Sequence, residues 1–474
     1  MDQSVTLPHD ADVTAAMAGA LARARTAGRA WAALPLPDRL QVVARVRRLV
    51  ARGAAALAAT VARNPADTLV AEVLPLAEAA RFLVRHAAAI LAPARLRGRA
   101  PLWLLGIRAE LRREPCGVVL VLAPGNYPLF LPGAQALQAL AAGNAVCVKP
   151  APGCEAPMQA LAALLAQAGL PDGVLQVLDP DAGEAASRAG FDRIVLTGSA
   201  ETGARVLAAA ADRLTPATME LSGSDAVFVL PGADLDLVAR CLAYGLRLNG
   251  GATCIAPRRV FVPDALAMAL EGKLLTLMPG IPDAAVPDGT AARLAGLVRQ
   301  AVADGARIAA DGARRPVVVA DARPGMTLLQ QDVFAPWLAL VPVADPDAAL
   351  LAAEACPFAL GVSIFGPAAA ARGLAGRVRA GSVCINDLIV PTADPRLPFG
   401  GRGRSGFGST RGEPGLLEMT VPKAVSIRRG RFRPHLNAAT PDDAVLFAHM
   451  TALLHGAWRD RWAALRGLAS VGRR

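Results

Sequence analysis

The chain has 474 residues, 54% hydrophobic and 19% charged, long enough for two or three domains with a large core and too apolar for a disordered protein. Its formal charge is +11, yet only three of its 50 basic residues are lysine and the arginines are scattered among acids with no aromatic-basic platform, which argues against nucleic-acid binding. Seven cysteines form no Cys-x-x-Cys pair and have no histidine nearby, so neither a metal site nor a disulfide framework is expected; no basic-then-apolar leader opens the chain, and a reducing cytoplasm fits.

Residues 12–91 are Ala-rich, with Leu40, Val43, Val46, Leu49 and Val50 at helical spacing, which predicts helices broken once at Pro35 and Pro37. No residue between Glu114 and Lys149 is charged, but Pro124, Gly125, Asn126, Pro128 and Pro132 interrupt the run. It therefore reads as strand, loop, helix and strand rather than as a membrane span. Short β-branched runs at 118–122, 145–148, 174–178, 193–197 and 226–230 alternate with helical stretches, the pattern of a parallel sheet covered on both faces. A second series occupies 259–262, 316–319, 338–343, 361–365 and 382–386. Two doubly wound α/β domains are expected, with a boundary near Ser222.

Chemistry-bearing residues lie at the ends of these elements. Asn126 follows the 118–122 run, at the carboxyl edge where ligands gather in open α/β sheets, and its amide suits an oxyanion; an Asx turn that orders the loop is the plainer alternative. Thr197-Gly198-Ser199 reads as a strand, a turn and a helix cap whose free amides suit a phosphate, although an ordinary βα turn looks the same. It is no Walker loop, since Ala204 and Arg205 stand where Lys and Ser/Thr belong. Glu220 sits at an otherwise uncharged strand end, where a raised pKa suits a general base; a salt bridge to an arginine is its structural alternative. Cys254 follows Asn249-Gly250-Gly251, a turn free to bend sharply and present a thiol. Gly401, Gly403 and Gly406 match Gly-x-Gly-x-x-Gly but open no convincing helix, so they are a decoy for nucleotide binding.

With Asn126, Lys149, Gly198, Glu220 and Cys254 in that order, the sequence resembles the aldehyde dehydrogenase superfamily from about residue 12 to 425. The match runs through Asn126-Tyr127-Pro128-Leu129, Gly143 to Pro150, Thr197-Gly198-Ser199, Glu220 to Gly223, Gly250 to Pro257, Asp332 to Pro336 and Pro398 to Gly401. The resemblance implies an aldehyde-dehydrogenase-like α/β fold with a cofactor-binding domain in 1–222, an oligomerisation arm near 101–116, a catalytic domain in 223–395, and a Gly-rich loop and return strand in 396–430. It further implies NAD or NADP held by Lys149, Pro150, Gly198, Ser199, Asp332 and Phe334. An aldehyde would be oxidised to the acid through a Cys254 thioester, with Asn126 and the Cys254 amide holding the oxyanion and Glu220 activating water. A homodimer or homotetramer follows from the same likeness.

Departures from the family pattern are Ser222 and Ser224 for Gly and Lys, Ala252 for Gln, Pro152 for the ribose-gripping acid, with Glu155 close by, and Asp332 for Glu. They leave NAD against NADP undecided. They also keep open a slow or inactive binding protein on this fold, while the retained Glu220 favours hydrolysis over transfer to coenzyme A. A thiol hydrolase would need a histidine near the centre, and the five histidines all lie outside it. Tyr127, Leu129, Phe130 and Leu131 line the substrate tunnel in the resembling family, which implies a medium or long apolar aldehyde.

Residues 431–474 extend past the resemblance as a helical segment. Thr440-Pro441-Asp442-Asp443 marks a helix start, and apolar residues from Val445 to Leu454 precede Trp458, Trp462 and Leu465 interleaved with Arg459, Arg461 and Arg466. Residues 440–468 read either as a peripheral contact with an anionic membrane surface or as a helix packed on the protein itself.

Overall fold

The computed structural model describes residues 8–96, 104, 106–311, 316–431 and 433–471. The chain divides into two compact units, residues 1–93 with 112–423 and residues 94–111 with 424–474.

In the larger unit, β1 (Val118–Leu122), β2 (Ala145–Lys149), β3 (Leu175–Val177), β4 (Arg193–Gly198) and β5 (Ala217–Leu221) form a parallel sheet in the order β5-β4-β1-β2-β3. Gly406–Phe407 adds a short antiparallel edge to β5. The winding reverses between β1 and β4, so the loops after these strands meet at the crevice where open α/β sheets bind ligands. The uncharged stretch is strand, loop, helix and strand as expected. Its helix, Phe130–Ala142, is buried on every side and closes on Gly143 at φ 102°. No helix among the described residues is long and apolar enough to cross a membrane.

The second sheet contains β6 (Asp225–Val229), β7 (Pro257–Pro263), β8 (Arg307–Ala310), β9 (Val317–Ala320), β10 (Trp337–Val343), β11 (Gly361–Phe365) and β12 (Ser382–Ile385), in the order β8-β9-β10-β7-β6-β11-β12. All neighbours are parallel except β8, which is antiparallel to β9. The run at 226–230, grouped above with the first series, belongs here between β7 and β11. An apolar run specifies a buried strand but not the sheet that receives it. Strand β8 carries no β-branched series and was not legible.

The N-terminal helices break more often than the prolines indicate. They are Pro8–Ala33, Leu36–Arg52, Ala54–Ala58, Pro65–Thr68, a π-helical turn Leu69–Val73, and Leu74–Ile90. Asn64 starts the fourth by accepting the Ala66 amide at 2.9 Å. The π turn inserts one extra residue and directs Glu72 into the core, where it is fully buried.

In the smaller unit Ala94–Arg95 pairs antiparallel with Ile107–Pro115, Ala94 opposite Leu111. The expected arm at 101–116 lies partly outside the described residues. Thr440 caps Pro441–His455 through a reciprocal box with Asp443, as its sequence indicates. The chain then breaks at Gly456, and a second helix, Trp458–Val471, folds back on the first.

Candidate active site

The loop carrying Cys254 is shaped by three successive left-handed residues, Asn249, Gly250 and Gly251, at φ 52°, 57° and 74°. A Cβ on Gly251 would lie 2.5 Å from the Ala335 carbonyl oxygen, so only glycine fits. Buried Arg258 fastens this loop to the neighbouring segment. It donates to the carbonyls of Ala335 (2.6 Å) and Trp337 (3.0 Å) and to that of Gly251. Cys254 thus sits partly buried, three residues before β7 begins.

Asn126 follows β1 and is bound to the same loop. Its side-chain amide donates to the Ala252 carbonyl at 3.0 Å, and Asn249 donates to the Asn126 carbonyl at 2.9 Å. One amide proton of Asn126 is committed to Ala252, leaving the other for a ligand. Tyr127 and Thr253 share a 2.7 Å hydroxyl contact. Behind them Glu72 accepts the amides of Leu129 (2.7 Å) and Phe130 (3.1 Å) and pairs with Arg63 at 3.3 Å. Arg63 also donates to the Asn126 carbonyl and lies 5.1 Å over the Tyr127 ring. None of the Arg63, Glu72 and Thr253 roles was apparent from sequence.

Glu220, near the end of β5, is 2% exposed. One carboxylate oxygen accepts the Thr410 hydroxyl at 2.6 Å; the other is buried without a partner. Burial pushes this carboxyl above its ordinary value, opposed by the Arg411 guanidinium and the Thr410 hydroxyl. The alternative of a salt bridge is not realised, since no ion pair to Glu220 occurs among the described residues. Arg411 is itself buried, 4.1 Å over the Phe399 ring and 5.7 Å over that of Phe130, donating to the Thr392 carbonyl while its Nε is unpaired. Burial and then the charges of Glu220 and Asp225 raise the Cys254 thiol well above its ordinary value, with Arg411 opposing.

Cys254, Glu220 and Arg411 face one cavity of about 320 Å³, walled by apolar side chains that include Val70, Phe130, Leu131, Ile389 and Phe399. Asp67 and Arg247, paired at 3.4 Å, also line it. Asn126 is not among the lining residues; its bond to Ala252 ties it to the loop whose Thr253 and Cys254 are.

A second cleft of about 280 Å³ is lined by Ser199, Ser222, Thr290, Arg293, Asp332 and Phe334. Ser199 caps the helix Ala200–Ala211 by accepting the Thr202 amide at 3.1 Å, and the Gly198 carbonyl accepts the Ser222 amide at 3.0 Å. An oxygen of Asp332 and the Ser222 hydroxyl are buried close to each other with no well-formed hydrogen bond, donor and acceptor capacity that a ribose would satisfy. Burial raises the Asp332 carboxyl, opposed by the nearby Ser222 hydroxyl and Arg258. Lys149 and Pro150 end β2 away from these lining residues; Lys149 is half-buried, its pKa lowered by burial with Asp181 opposing. Glu155 accepts the Gly153 amide at 3.1 Å at the start of its own helix. No cluster among the described residues is suited to a metal ion.

Comparison with known proteins bears on the family and the fold. The Aldehyde dehydrogenase family matches residues 3–425. A 4,4'-diapolycopene aldehyde oxidase of Methylomonas sp. is 31% identical, the alignment covering 87% of this chain and 81% of that protein. The NADP complex of an NADP-dependent glyceraldehyde-3-phosphate dehydrogenase from Bacillus halodurans superposes with a TM-score of 0.81 at 27% identity, covering 88% of this chain and 92% of that one. The NAD+ complex of a Mycobacterium tuberculosis aldehyde dehydrogenase gives 0.81 at 25%, covering 89% and 92%. The chain belongs to the aldehyde dehydrogenase family of NAD(P)-dependent oxidoreductases.

Proposed function

We propose that this enzyme oxidises a medium or long apolar aldehyde to its acid through a thioester on Cys254. The observation that carries this reading is the shared apolar cavity of about 320 Å³, onto which both the thiol and the buried Glu220 open. Its size and lining suit an extended hydrocarbon better than a small polar aldehyde.

Sulfur attacks the carbonyl carbon and gives up its proton through water to solvent, which leaves the unpaired oxygen of Glu220 free for the later step. The free amide proton of Asn126, held in place by Ala252 and Asn249, stabilises the oxyanion. The chemistry that NAD or NADP would supply at this site is an acceptor for the hydride, with its electron pair, that leaves the substrate carbon. The residues fitted to hold it are Gly198, Ser199, Asp332 and Phe334, with Lys149 and Pro150 at the end of β2, beyond β1 from β4. Glu220 then takes a proton from water, which adds to the thioester carbonyl; the carbon–sulfur bond breaks, the acid leaves, and Glu220 returns the proton to the departing sulfur. A buried carboxylate at this point favours hydrolysis over transfer to coenzyme A.

In this reading residues 1–222 bind the cofactor and 223–395 supply the nucleophile, in a cytoplasmic homodimer or homotetramer. A panel of aldehydes of increasing chain length, assayed with NAD and with NADP, should give kcat/KM rising with length. Quenched enzyme should carry the acyl group on the Cys254 peptide, and Cys254→Ser should bind cofactor without turnover. Reduction of neither cofactor with any aldehyde would support an inactive binding protein instead; an acyl group on another residue would reject the assigned nucleophile.

A further inference from the structure

The helix Trp458–Val471 has one face that the fold uses and one that it does not. Ala464, 2% exposed, and Gly467 lie on the used face. A Cβ on Gly467 would come within 2.3 Å of the His449 ring, which shows how closely the helix approaches Pro441–His455. On the other face Trp458, Trp462 and Leu465 are 68%, 58% and 45% exposed. Their i, i+4, i+7 spacing stacks them in one stripe along the axis. Arg459 and Arg466 border the stripe on one side, and neither forms an ion pair among the described residues. Arg461 borders the other, donating to the Gly456 carbonyl at 2.9 Å.

Residues 428–474 contain nine arginines against three acids. They lie wholly beyond residue 425, where the family match ends, so the family's chemistry does not account for them. The helix has 14 residues, too few to span a bilayer but enough to lie in its surface. Tryptophan suits that position because its ring is apolar while its N–H still reaches water and headgroups.

We propose that this helix docks flat on an anionic phospholipid surface, with Trp458, Trp462 and Leu465 inserted at the acyl boundary and Arg459 and Arg466 on headgroup phosphates. Charge selects this occupant over a second copy of the chain, because two such arginine-rich segments repel each other whereas an anionic bilayer attracts one.

The test uses the full-length protein with vesicles of phosphatidylcholine alone or mixed with phosphatidylglycerol, by co-sedimentation at low salt. The protein should sediment with the anionic vesicles and stay in solution with the neutral ones. Trp458→Ser/Trp462→Ser should weaken binding at least about tenfold. Arg459→Gln/Arg466→Gln should weaken it about thirty-fold, the effect of two arginines near such a surface. Unchanged thermal melting establishes that the variants fold, since both pairs are exposed. Equal behaviour on both vesicle types, or parental binding by the tryptophan pair, overturns the proposal. So does a drop in molar mass by light scattering in the tryptophan pair, which would assign the stripe to a second copy.

Discussion

Thr410 donates its hydroxyl hydrogen to Glu220 at 2.6 Å, which fixes the carboxylate and leaves its second, buried oxygen as the only one available to a water proton. Glu220→Gln should therefore retain a burst of reduced cofactor while steady-state turnover falls about 10²–10⁴-fold, the usual range for a lost general base. The Glu220 charge also raises the Cys254 thiol, so the same variant should be alkylated by iodoacetamide faster than the parent at a fixed pH. Slower alkylation would show that Glu220 acts mainly as the thiol's base.

The same residue should cost stability. Its folded pKa lies above the unfolded one, so the folded state binds the proton more tightly, and the associated stability is present below the unfolded value and lost as pH rises through the folded one. At neutral pH Glu220→Gln should raise the melting temperature, and the gain should vanish in acid, near the ordinary carboxylate range. Turnover of the parent should fall with acid at a higher pH than an ordinary carboxylate would give. A variant that melts lower at pH 7 than the parent counts against this.

Arg411 opposes the upward shift of both Glu220 and Cys254. Arg411→Met should move the acid limb of turnover to higher pH and slow thiol alkylation at neutral pH. Arg411→Lys should restore the limb in part, keeping the charge but losing the planar stack on Phe399. If both variants melt lower but keep the parental pH profile, Arg411 only packs the site.

Glu72 joins three partners at once: Arg63 and the amides of Leu129 and Phe130. Glu72→Ala strands the Arg63 charge in a largely buried place, a loss of about 3–5 kcal/mol. Denaturant unfolding measures it, and kcat should fall as well because Arg63 holds the Asn126 carbonyl. A loss below about 1 kcal/mol would mean that water takes over these contacts.

What the sequence determined alone is whatever a few neighbouring residues decide. The Asn249-Gly250-Gly251 bend, the Ser199 cap, the Thr440 box and most strands are local choices of backbone conformation, hydrogen bonding or apolar patterning, and they are visible as such. The order Asn126, Lys149, Gly198, Glu220, Cys254 carried the family with them. Tertiary structure alone decided which distant groups meet. Glu72 reaches amides 57 residues away and Thr410 reaches Glu220 across 190, and neither residue differs locally from any other acid or threonine. Arg411 was hidden among many arginines until folding buried it beside Phe399. Strand β6 reads like those of the first sheet, yet it pairs with β7 and β11. Such pairings depend on which chain segments the fold packs together, and a residue's immediate neighbours hold no record of that.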